Sequence, residues 1–257
     1  MTKLNCFISC MIIIISGCSD QNGDDPSKKT NPGYVAFDYT CYSFRKYTPL
    51  LKEIYQFNEY VKQSTLAGRD SVDRLYFRDV KIFYDEQKDV WTLQAIRAYG
   101  TDFPAISIQT NGKNLDETGA VWTVSEDPAE NYYPPFEFYV ENAENSCWHI
   151  TEHDYKSYDT FEYTTEWDVR FQDGGKGCLL KGSGTLLSLR SPKLKLEYSI
   201  TEPLEISENS VSLGTVRILA TDVDRKRTEE TSVRILSNET VEITYGNHTG
   251  NWDYSIF

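Results

Sequence analysis

Basic residues are in short supply: 26 lysines and arginines stand against 39 aspartates and glutamates, a formal net charge of −13. Nucleic acid is gripped by lysine and arginine patches that release counterions from phosphates. The one dense basic run, Arg225, Lys226 and Arg227, is followed at once by Glu229 and Glu230, so nucleic acid is not an expected partner. Histidines number only three, which leaves few nitrogen ligands for a metal. No Ser, His and Asp order, nucleophile elbow or phosphate-cradling glycine loop is present; the glycines at 174, 175 and 177 read as a turn between strands. No cofactor is expected. The apolar run from Phe7 to Ile15 falls far short of the roughly 20 residues that cross about 30 Å of hydrocarbon, which excludes it as a permanent transmembrane anchor.

That run follows a single charge, Lys3, and ends at Ser16 and Gly17, the layout of a short signal peptide over residues 1–17. Ile15, Ser16, Gly17 and Cys18 stand in lipobox order and resemble the processing site of bacterial lipoproteins. The resemblance implies cleavage before Cys18, acylation of its thiol and a membrane partner held through that lipid. Residues 18–33 are polar and form an expected disordered tether. Its acidic start (Asp20, Asp24, Asp25) is similar to the surface-export signal of Bacteroidetes lipoproteins. That implies an outer-membrane, lipid-anchored protein facing the cell surface, with a periplasm-facing placement as the alternative. Asp70, Ser71 and Val72 resemble the O-glycosylation triplet of exported Bacteroidetes proteins, implying a glycan on Ser71. With Cys6 and Cys10 in the signal and Cys18 acylated, Cys41, Cys147 and Cys178 remain; they are buried small residues, or two of them form a bridge.

The rest of the chain is mainly β. Alternation predicts strands at 34–44, 75–84, 91–97, 105–110, 120–125 and 136–141, then a meander at 161–172, 177–190, 193–200, 211–223, 228–236 and 240–245. The expected architecture is an antiparallel β-sandwich or a lipocalin-like meander or barrel. It is expected as a β-rich N-terminal domain or half over 34–142 and an antiparallel one over 143–257. Thr48 and Pro49 suggest a helix start, and Leu51, Ile54, Tyr55, Asn58 and Val61 recur at helical spacing, so one helix is predicted over about 49–63. The segment from Gly182 to Gly184 and on through Tyr198 resembles a hairpin of small lipocalin-like or sandwich lipoproteins of gut bacteria, families without assigned activity.

Several residues are candidates for chemistry. Glu166 and Asp168 share one face of a strand about 7 Å apart, within the range of a glycosidase carboxylate pair, with Trp167 turned inward. A solvent-facing acidic pair is the plainer reading. Cys147, His149 and His153 suggest a metal site, but in a strand the two histidines lie about 13 Å apart and supply too few common ligands. Asp222 and Asp224 begin like a calcium loop that lacks its glycine and its bidentate glutamate. Eighteen tyrosines and five tryptophans are mostly core material. Those expected in loops, Tyr132, Tyr133, Tyr155, Tyr158 and Trp252, form a candidate ligand platform.

The sequence thus leads to an envelope-anchored, non-catalytic binding module for glycan or another surface protein. Its alternatives are a carboxylate-based glycan hydrolase and a fimbria-like structural subunit with an unpaired edge strand.

Overall fold

Alternating apolar and polar residues separated by short turns favour strands that pair with their sequence neighbours. In the computed structural model the described strands pair with their sequence neighbours. It describes residues 32–64, 80–85, 87, 90–95, 106–126, 137–143, 147–157, 161–172, 174–188, 193–207, 210–237 and 239–254. Helix α1 (Pro32–Ser64) precedes thirteen strands. They are β1 (Val80–Asp85), β2 (Val90–Ala95), β3 (Ile106–Thr110), β4 (Val121–Glu126), β5 (Glu137–Ala143), β6 (Cys147–Ser157) and β7 (Phe161–Gln172), followed by β8 (Gly177–Ser188), β9 (Leu194–Ser207), β10 (Ser210–Asp222), β11 (Arg227–Ser237), β12 (Thr240–Tyr245) and β13 (His248–Asp253).

All thirteen form one antiparallel sheet in strict chain order, a meander that does not close. Of the expected architectures the meander is the one formed: among the described residues there is no second sheet to make a sandwich, and β1 and β13 do not pair to make a barrel. Both halves of the chain belong to this sheet, since β5 pairs with β6 from Tyr139↔Thr151 to Ala143↔Cys147.

The sheet curls around α1. Register shifts in the β6–β7, β8–β9 and β9–β10 pairs bend it locally, as bulges do. The helix crosses its inner face diagonally. Tyr34 meets Trp252 of β13 at 5.7 Å, Phe44 stacks on Trp167 of β7 at 5.5 Å, and Tyr55 packs on Phe171 at 4.8 Å. Phe57 reaches Trp122 of β4 at 5.2 Å. The far end of α1 is pinned by Asn58, buried, whose Oδ1 accepts a 2.6 Å hydrogen bond from the Leu115 N–H between β3 and β4. Lys62 adds a 2.5 Å contact to Asp116. Among the described residues no helix is long and apolar enough to cross a membrane.

Several boundaries differ from those expected. Residues 34–44 are helix, not strand, and Pro49 lies inside α1 instead of opening it. The cause is burial: Val35, Ala36, Phe37, Tyr39, Thr40, Cys41 and Phe44 are all covered, so buried side chains fall on more than one side of this part of the helix and blur its period. Pro32 and Gly33, read as the end of the tether, belong to α1, and residues 18–31 lie outside the described residues. Strand β6 runs on to Ser157 where a loop was expected, β9 continues past 200 to Ser207, and β13 had no counterpart in the alternation. Within β9, Pro203 is tolerated because it sits where the pairing with β10 is irregular.

Candidate functional site

Unequal strand lengths build the most distinctive surface feature. Tyr245, the last residue of β12, pairs with Thr231, so the β11 segment Arg227–Glu230 projects beyond β12 with β10 as its one partner among the described strands. Four residues of strand extend about 13 Å. The notch between this hairpin and the β12–β13 turn holds a cavity of about 500 Å³. Arg227, Glu229, Glu230 and Ser232 line it from β11, and Thr244, Tyr245, Gly246 and His248 from the β12–β13 side. Gly246 takes a left-handed φ of 57°, which lets the two-residue turn close tightly.

The charges here are held in set positions. Glu230 receives two hydrogen bonds from Arg217, at 2.8 Å from Nε and 2.6 Å from Nη2, and the guanidinium holds its carboxyl below the usual range. Glu229 is largely covered and meets Arg227 through Oε1; its Oε2 is buried without a hydrogen-bond partner among the described residues. Burial pushes the Glu229 carboxyl up, against the opposing pull of Arg227. A carboxyl with a higher pKa folded than unfolded contributes its full stability below the unfolded value, and that contribution is lost as pH rises through the folded one. Glu229→Gln, neutral throughout, is therefore expected to gain in melting temperature relative to wild type, by a few degrees, as pH is raised from the glutamate range to neutrality. Thermal melts at several pH values check this; a pH-independent difference would refute it.

Comparison of the chain with family models, curated proteins and solved structures found no match. What the site does is therefore argued from its own geometry.

The residues singled out from sequence are scattered. Glu166 and Asp168 stand exposed on the outer face of β7, with Trp167 fully buried between them. His149 Nδ1 lies 2.8 Å from Asp168 Oδ1, and Cys147 sits opposite Arg170. Burial, the largest effect, and then the Asp168 charge push the Cys147 thiol up. Among the described residues no three His, Cys, Asp or Glu side chains converge on one point. Cys41, Cys147 and Cys178 form no disulfide among the described residues; burial pushes the Cys178 thiol up to about 12. Asp222, buried, accepts the Arg225 N–H at 2.9 Å and so shapes the β10–β11 turn.

Trp252 lies in β13 and not in a loop, half-buried against Tyr34. Tyr155 lies in β6 opposite Tyr163, also not in a loop. His153 is in β6 as well. Tyr132, Tyr133, Tyr158, Ser71 and Cys18 lie outside the described residues. Sequence reading missed the notch because its two walls, at 227–232 and 244–248, are joined only by the β11–β12 register. The Arg227, Glu229, Glu230 run was the one available signal.

Proposed function

We propose that this chain is a lipoprotein of the outer membrane, anchored through acyl groups on Cys18 and displayed at the cell surface, that acts as a non-catalytic binding module for an envelope glycan. The observation that carries the reading is the notch cavity. Its volume falls within the roughly 300–1,000 Å³ of small-ligand sites. Its lining mixes carboxylates that accept hydrogen bonds, the Arg227 guanidinium that donates them, and one aromatic ring, Tyr245. Hydroxyl-rich sugars are held by that mixture of bidirectional hydrogen bonds and a flat apolar face.

Binding fits the site better than hydrolysis. Glu229 and Glu230 are adjacent in a strand, so their side chains leave opposite faces and do not flank a single glycosidic bond. Both carboxylates are also engaged by arginines. Hydrolysis through Glu166 and Asp168 is the alternative enzymatic reading, and their exposure on an outer sheet face does not favour it. A fimbria-like assembly role is the second reading, favoured by the open sheet with β1 and β13 at its edges.

A glycan array probed with residues 31–257, which contain every described element, tests the reading. Saturable binding is expected to fall at least about ten-fold in Tyr245→Ala, the loss of one central aromatic anchor. If Tyr132→Ala with Tyr133→Ala abolishes binding and Tyr245→Ala does not, the platform includes Tyr132 and Tyr133 instead. No glycan bound by the wild type would transfer the weight to a protein partner or to assembly.

A further inference from the structure

We infer that the end of the sheet from which the N-terminal segment departs is a membrane-apposed surface, and that the β10–β11 hairpin tip docks onto anionic lipid headgroups. Strand alternation puts the β10–β11 and β12–β13 turns and the start of β9 at one end of the sheet. The chain enters the fold at that same end, because Gly33 lies so close to Thr231, Ile243 and Tyr245 that a Cβ there would meet them at 3.0–3.1 Å. Fourteen positions separate Cys18 from Pro32, a reach of at most about 50 Å. A lipid on Cys18 would therefore hold this end within about 50 Å of the bilayer.

Charge points the same way. The chain is strongly acidic, yet this tip gathers Lys193, Arg225, Lys226 and Arg227; Arg225 pairs with Asp222 and Arg227 with Glu229, so Lys193 and Lys226 are the cations left to face a surface, beside the exposed Asp224. The Val223 N–H donates to the Lys193 carbonyl at 2.9 Å, which fixes the start of β9 beside the turn. Lys193 and Lys226 are exposed and make no ion pair with another described residue. Val223, 40% exposed at the start of the turn, supplies an apolar contact for the interface. Surface potentials of anionic leaflets act only within about a Debye length, so cations on a projecting tip feel them while the acidic remainder stays outside. The orientation argument rests on the proposed Cys18 anchor; the charge argument does not.

The test uses the full chain carrying Cys18→Ser, so that vesicle binding owes nothing to acylation. Sedimentation is compared between vesicles of pure phosphatidylcholine and of an equimolar phosphatidylcholine and phosphatidylglycerol mixture. Excess binding to the anionic vesicles, reduced by salt, is expected. It should fall at least about ten-fold in Lys193→Glu with Lys226→Glu, each lysine being worth about five-fold near such a surface. Lys176→Glu, in the turn at the opposite end of β8, should leave it unchanged. Should the double reversal not fold, Lys193→Gln with Lys226→Asn serves, asparagine being tolerant of the left-handed φ of 53° at that position. Equal binding to both vesicle types, or equal loss from Lys176→Glu, would overturn the inference. Mass spectrometry of the wild-type N-terminus reports the anchor separately, so the two readings fail independently.

Discussion

Trp167→Ala is expected to lower unfolding stability by about 3–5 kcal/mol, the range for emptying a large buried aromatic site. Trp167 is fully buried where the middle of α1 crosses β7. Phe44 stacks on its ring at 5.5 Å with planes 27° apart, and its Nε1 donates to the Tyr198 hydroxyl at 3.1 Å. The substitution removes a helix-to-sheet contact, opens a cavity and leaves that hydroxyl short of a donor in a buried setting. Its strand neighbours provide the comparison. Glu166→Ala and Asp168→Ala, exposed on the other face, are expected to stay within about 0.5 kcal/mol of wild type. Denaturant melts of the three variants decide the matter: a cost below about 1 kcal/mol for Trp167→Ala would mean that α1 is not seated on this sheet.

An equally large effect is expected from a far smaller change. Gly182 adopts φ +132°, and a Cβ there would lie 2.1 Å from the Glu166 carbonyl oxygen and 2.8 Å from the Trp167 Cα. Backbone cannot step aside as a flexible side chain can, so Gly182→Ala combines a forbidden conformation with a clash and should cost on the order of 3–5 kcal/mol. Gly174→Ala isolates the conformational part. Its φ is +65° and no atom lies within 4 Å of its Cβ position, so it should cost about 1–2 kcal/mol. Equal losses in the two variants would show that the β7–β8 approach is looser than described. The close approach lies where the β8–β9 register shifts between Leu180 and Gly182, which makes this glycine part of how the sheet bends over α1.

Legibility in the sequence followed the range of the forces involved. Strands β7 and β12 have the boundaries their alternation predicts, 161–172 and 240–245, because each buries one face and solvates the other. Trp167 was expected to face inward on the same ground. The second half of α1 was readable too, since Leu51, Ile54, Asn58 and Val61 are buried while Lys52 is exposed. Its first half was not. Val35, Phe37, Tyr39 and Cys41 imitate a strand's alternation, and only the sheet wrapped around them makes a helix buried on most sides stable there. β13, with Thr249, Gly250 and Asn251 at its centre, has almost no strand propensity of its own and is held by pairing with β12.

The sequence by itself determined what depends on neighbours along the chain. It set the mainly β character, the inward and outward faces of strands such as β7, and the acidic composition. Only the tertiary structure decided how far the sheet curls, that it stops without closing, and that α1 fills its concave side. It also brought Arg227, Glu229, Tyr245 and His248 to one notch at the end where the N-terminal segment joins the fold. These features depend on register, bulges and long-range packing, whose energies are summed over residues far apart in the chain and leave no local pattern to read.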